Sequence, residues 1–276
     1  MRRVGARTAV AAATLAAVVA AAAVGPVVWS VDPTETRLLA RLQPPVFAGG
    51  SWAHPLGTDP LGRDVLARVL YGARVSLLVS VTATVVGGGV GTLAGLAAGF
   101  AYGRPLDTLV TFLVDVQLAL PFLLLAIAIA LVFGSSLPIL VALAALAAWP
   151  PYARVARGVT LALREQEFVL AARALGGRDV HVMLRHLLPN LAAPIAVLAT
   201  LGIGNLILFE SALGFLGIGL PPPAPSWGTM IGEGREYLSR AWWVATVPGA
   251  FLVLVTVSVG VLGDDFRDRL DVRTEL

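Results

Sequence analysis

The chain has 276 residues, 57% hydrophobic and 13% charged, where soluble domains run at roughly 45–50% and about 25%. That gap marks a membrane protein, and the lack of Cys removes disulfides and thiolate metal sites. All 20 basic residues are Arg and the formal charge is +3, but the arginines form no basic, aromatic-interleaved stripe, so nucleic acid is excluded as a partner.

Six apolar runs approach the ~20 residues a bilayer core requires. They lie at about 8–29, 75–101, 108–133, 137–157, 191–211 and 243–263. The first follows Arg2, Arg3 and Arg7, and it exceeds the roughly 7–15-residue core of a signal peptide, which favours a retained helix. A polar segment follows, about 31–74, containing H-P-L-G-T-D-P-L-G-R-D-V. Asp59 is a candidate N-cap with Pro60 at the first helical position. Leu61, Val65 and Val69 would then form a stripe suited to the membrane surface, serving either a soluble partner or the orientation of the second span.

The second run carries Gly87, Gly91, Gly95 and Gly99 at four-residue spacing. Small residues on one helical face let two backbones approach closely, so this stripe reads as packing. The third run holds Asp115, Gln117 and Pro121. Pro121 should kink it. An acidic group at membrane depth costs about 2.5–3.5 kcal/mol, so Asp115 either borders a wet path or sits near the interface.

Arg164–Asn190 is polar and Arg-rich between apolar runs, and reads as two short amphipathic helices. Phe168, Ala171, Ala172 and Leu175 recur at helical spacing in the first. Gly176 and Gly177 then stop it, with positive φ expected at one of them. A side chain at Gly176 would strain the backbone and crowd the exposed surface. Val180, Met183, Leu184 and Leu187 form the apolar face of the second helix, opposite Arg178, His181 and Arg185, and Pro189 ends the unit. His181 and His186, five apart, would not share a helix face. The fifth run contains Asn205 and ends in Glu210. Pro221–Pro225 favours an extended loop, and Trp242 and Trp243 mark an interface.

With the N-terminus inside, thirteen arginines fall in cytoplasmic segments and seven outside, which favours N-in and C-in and puts 158–189 in the cytoplasm. No G-x-x-x-x-G-K-[ST] loop, H-E-x-x-H pattern or G-x-S-x-G elbow occurs, so no catalytic residue, metal site or cofactor is read.

Several runs carry a family resemblance. A-A-R-A-L-G at Ala171–Gly176, followed by L-L-P-N at Leu187–Asn190, resembles the "EAA loop" of ABC importer permeases, with Leu170 in place of the motif's Glu. The run His54–Ser76, E-S-A-L-G-F-L-G with P-P-P-A-P-S-W-G, and G-D-D-F-R-D-R-L-D resemble the dipeptide/oligopeptide/nickel branch, though Gly214 stands where that branch often has Ser. The resemblance implies an all-α polytopic membrane protein with six transmembrane helices and a cytoplasmic helical coupling loop. Residues 1–74 would hold the N-terminal helix and an extracytoplasmic segment, and 75–276 the permease domain with its loop at 158–190. The implied function is to form the translocation path for di- or oligopeptides in an ATP-driven importer of the bacterial cytoplasmic membrane. Nickel or a chelated metal is the alternative cargo, and a stand-alone secondary transporter is disfavoured because no inverted repeat is visible. The implied partners are a second permease, two ATP-binding cassette ATPases, an extracytoplasmic binding protein and the lipid bilayer. The implied ATPase-coupling residues are Phe168, Leu170, Ala171, Ala172, Gly176, Gly177, Leu188 and Pro189. Asp115, Asn205 and Glu210 are candidates for the path.

Overall fold

The computed structural model describes residues 5–271, so Arg2, Arg3 and Arg273 of the arginine count lie outside the described residues. Among these residues the ordered elements are helices: α1 (Ala6–Val28), α2 (Val65–Phe100), α3 (Pro105–Ala119), α4 (Phe122–Phe133), α5 (Leu137–Leu163), α6 (Glu167–Ala174), α7 (Asp179–Val182), α8 (Leu188–Phe215), α9 (Trp227–Gly234) and α10 (Trp243–Asp271). Five helical runs are long and apolar enough to cross a membrane, and α3 with α4, bent by 91° at Leu120–Pro121, makes a sixth. Pro121 therefore breaks the third run outright.

Packing of α2 on α5 fixes the topology. A Cβ built at Gly87, Gly91, Gly95 or Gly99 would press on the carbonyl of Ala145, Trp149, Ala153 or Arg157 in turn. Both series advance by four, so the two helices run parallel. Parallel neighbours require a net single crossing between them, and α3–α4 supplies it. The glycine stripe thus packs within the chain, against the helix of the fourth apolar run, a pairing that the sequence did not identify.

Prolines in the spans leave carbonyls without their i+4 donors, and at Pro26 and Pro150 another helix supplies the donor. Pro26 frees the Ala22 carbonyl, which accepts from Arg74 Nε of α2 at 2.5 Å, and Arg74 also donates to Ala23 O at 2.8 Å. Pro150 frees the Leu146 carbonyl, which accepts from Gln117 Nε2 of α3 at 2.6 Å. Trp149 Nε1 donates to Gln117 Oε1 at 2.8 Å, so one amide joins α3 to α5 twice. The Arg157 guanidinium adds a two-pronged pair with Asp107 (2.6 and 3.1 Å).

At the end remote from Arg164–Asn190, α2 begins ten residues before the apolar run. Asp64 is its N-cap and accepts from Ala67 N at 2.7 Å. Asp59 caps no helix. Its carboxylate instead accepts from the backbone N–H of Leu61 and Arg63, and Gly62 at φ +75° prevents a helix from starting there. Val65 and Val69 are buried, so the expected interfacial helix is the first turns of α2, and the boundary at 74/75 falls inside it. Asp64 also accepts from Trp29 Nε1 and bonds His54 Nδ1, joining the end of α1 to this segment. Arg63 bridges Asp59 (2.5 Å) and Glu233 (2.8 Å), and Arg68 reaches Glu233 at 2.9 Å. Both arginines are at most 5% exposed. A buried charge cluster of this kind holds only while each member keeps its partner; here it ties the segment before α2 to α9.

Helix α9 follows the proline loop and was not expected. Its signal is S-x-x-T: Ser226 and Thr229 form a capping box. Trp227 is fully buried and donates to Val69 O at 3.1 Å. Gly214 explains its departure from Ser here, because a Cβ would lie 2.9 Å from Thr229 N.

Candidate functional site: the loop Arg164–Asn190

Helix α6 ends in a Schellman turn. Gly177 N–H bonds Ala172 O at 3.0 Å and Gly176 N–H bonds Arg173 O at 2.9 Å. Gly176 has φ +83°, the left-handed region that favours Gly. A Cβ at Gly176 meets nothing within 4 Å, so the demand is conformational and the expected crowding does not arise from neighbours in this chain. At Gly177 a Cβ would lie 2.7 Å from Ala172 O.

The apolar residues divide differently from the expected faces. Val169, Val182 and Leu187 are fully buried and pack with Leu96 of α2, Ala156 of α5 and Leu191 of α8, and Ala172, Met183 and Leu188 join them in part. Phe168, Leu170, Ala171, Leu175, Val180 and Leu184 face outward, Leu175 at 89% exposure. The loop is therefore apolar on two sides. One side clamps it to three helix ends; the other is uncovered.

Pro189 does not end the unit. It sits exposed in the first turn of α8, and the helix runs without interruption from Asp179 to Phe215. The join is a π turn at Met183–Leu187, where Leu188 N–H bonds Met183 O, five residues back. The wide turn lies just before Pro189, whose ring in a plain α-helix would press on the Arg185 carbonyl. The same turn brings His181 and His186 together, with ring centroids 5.9 Å apart, against the α-helical expectation.

The three candidate path residues do not converge. Asp115 pairs with Arg154 at 2.8 Å, both side chains about 60% exposed. Asn205 is exposed on α8. Glu210 is 1% exposed and accepts from Ser76 Oγ at 2.7 Å, which places it between α8 and α2 inside the chain. Sequence reasoning gave no role to Arg74, Arg63, Arg68 or Glu233. For Arg74 and Gln117 the signal was present as a proline four residues after a carbonyl, but the donor's identity required the fold.

The family model described as binding-protein-dependent transport system inner membrane component matches residues 91–275. A di/tripeptide transport system permease protein of Pseudomonas aeruginosa is 42% identical over 241 residues, 87% of this chain and 79% of the relative. A dipeptide transport system permease protein of Alkalihalophilus pseudofirmus is 42% identical over 246 residues, 89% and 79%. A probable D,D-dipeptide transport system permease protein of Escherichia coli K12 is 38% identical over 240 residues, 87% and 78%.

Proposed function

The chain belongs to the family of binding-protein-dependent transport system inner membrane components, and from that premise we propose that it lines the path of an ATP-driven importer of di- or oligopeptides. The peptide assignment follows the names of its relatives. In this reading the chain works beside a second permease, two ATPase subunits that hydrolyse ATP and an extracytoplasmic binding protein. Both termini lie in the cytoplasm, as the arginine bias favours.

One observation carries the coupling assignment. Phe168 and Ala171 on α6, Leu175 just past its end, and Val180 and Leu184 beyond the turn are uncovered apolar residues on an element clamped from behind by Val169, Val182 and Leu187. Such a patch on a braced element fits a cleft in a partner protein. With Leu170 replacing the motif's Glu, the contact relies on shape and apolar area more than on charge, so raised salt should weaken it little. Asp115 and Asn205 border the path, and Glu210 acts on it indirectly by holding α8 to α2.

The absence of Cys makes the test clean. Single cysteines at Leu175 and at Phe47 are labelled from either side of sealed vesicles. Leu175→Cys should react from the cytoplasmic side only, and reaction should fall when the ATPase subunits are bound. Labelling from the outside would overturn the orientation, and unchanged labelling in the complex would overturn the docking assignment.

A further inference from the structure

Behind the proposed docking face lies a second surface of opposite character. A cleft of about 460 Å3 opens where α2 gives way to α3 beneath the loop, lined by Phe100, Tyr102, Arg104, Arg164, Arg173 and Asp179. Two of its cations rest on aromatic faces. The Arg173 guanidinium lies 4.4 Å from the Phe100 ring centroid, and that of Arg164 lies 5.2 Å from the Tyr102 centroid. A stacked guanidinium keeps its N–H edge free for a planar or tetrahedral oxyanion.

Arg164 spends its Nε on Glu165 at 2.8 Å, and the neighbouring Arg157 is taken by Asp107. Three arginines against Asp179 and Glu165 leave one net positive charge (3 − 2 = 1). One phosphodiester, with a single negative charge, would balance it.

Position favours a lipid as the source. Phe100 is the last residue of α2 and Leu163 the last of α5, so the cleft sits at the depth where two spans leave the apolar core. Arg173 shares a helix face with Val169, four residues earlier, which packs against Leu96. It therefore points toward the span ends and away from Phe168 and Leu175. Basic pockets between membrane helices at the cytoplasmic surface suit anionic headgroups.

We propose that this cleft binds the headgroup phosphate of a monoanionic phospholipid, which braces the loop against the α2–α3 turn. The inference rests on the cytoplasmic placement of the loop given above.

The test uses the whole complex, permeases with ATPases, in nanodiscs of mixed phosphatidylglycerol and phosphatidylcholine, with retained lipid counted by native mass spectrometry. Phosphatidylglycerol should be retained preferentially. Arg173→Gln and Arg104→Gln should each lower its affinity about fivefold, the worth of one basic residue at an anionic surface. Arg240→Gln, at the other end, should change nothing. Arg104 makes no side-chain cap bond, so its variant tests the site without disturbing α3. Equal retention of the two lipids, or variants that match the wild type, would overturn the proposal. Displacement of phosphatidylglycerol by inorganic phosphate would move the site to a free anion and overturn the lipid assignment. ATPase retention is read in the same spectra. If ATPases stay bound without lipid preference, this inference alone fails; if they are absent while the lipid binds, the coupling assignment fails.

Discussion

Replacing Gly91 with Ala tests the α2–α5 contact in the middle of its glycine stripe. The added Cβ would lie 2.9 Å from Tyr152 Cβ and 3.0 Å from the Trp149 carbonyl carbon, with the Trp149 oxygen nearer still. A carbon rests about 3.3 Å or more from a carbonyl oxygen, and the Trp149 oxygen would lie about 1 Å inside that limit, so the helices must part by about 1 Å at this point. Backbone on both sides cannot step aside as a flexible side chain would. Because Gly87 and Gly95 share the seam, parting at Gly91 also loosens them. Overpacking of this kind costs about 1–3 kcal/mol, and the backbone clash puts this case near the top of that range. Gly89 is the control on the same helix: a Cβ there meets nothing within 4 Å. Gly89→Ala should be neutral or stabilise by up to about 1 kcal/mol through helix propensity. Thermal unfolding of each purified variant in the same detergent reads the difference. If Gly91→Ala and Gly89→Ala unfold together, the seam is not load-carrying in the way the register implies.

Gln117→Leu should strip the Leu146 carbonyl and the Trp149 indole of their partner, at about 1–3 kcal/mol for each group left unpaired, read as a lower unfolding temperature and a changed Trp149 emission. Arg68→Met should cost about 1.5–3 kcal/mol, the worth of a hydrogen bond to a charged group, because Glu233 loses one charged donor and keeps Arg63; proteolysis of the 29–64 segment reports it. Gly176→Asp should cost about 1–2 kcal/mol in backbone strain and leave the permease in the membrane, with substrate-stimulated ATP hydrolysis lost. Wild-type stimulation in that variant would remove the loop from coupling.

The six crossings were legible because each needs about 20 apolar residues, and composition alone counts them. Where helices begin was less legible. Asp59 followed by Pro60 is the better local start signal, yet Gly62 must take φ +75° and the cap passes to Asp64. The face of α6 misled for a physical reason. Periodicity finds an apolar stripe without saying which side the rest of the chain covers, and here Val169 is covered while Phe168 and Leu175 are not. Glu210 stood out as an acid at membrane depth, but only the fold shows Ser76 of α2 against it. Arg74 on Ala22 and Gln117 on Leu146 span 52 and 29 residues, and no local pattern carries such pairs.

The π turn before Pro189 can be tested as one extra residue. Val182 and Leu187 are both fully buried in the same cluster. Five positions apart on an α-helix they would diverge by about 140°, since each residue turns about 100°; the π turn realigns them. Deleting the exposed Arg185 would make them i and i+4, which an α-helix aligns unaided. That deletion should nevertheless destabilise, because Pro189 would then meet a carbonyl in a regular α-helical turn, at a cost of about 3 kcal/mol. Adding Pro189→Ala to the deletion removes the ring. The double variant should recover most of the lost stability and keep substrate-stimulated ATP hydrolysis, since Val180 and Leu184 keep their place relative to the clamp. Pro189→Ala alone should be close to neutral. If the double variant unfolds as early as the deletion alone, the π turn serves something other than room for Pro189. If it is stable but uncoupled, the turn itself is part of the transmission between the loop and the 37-residue run from Asp179 to Phe215.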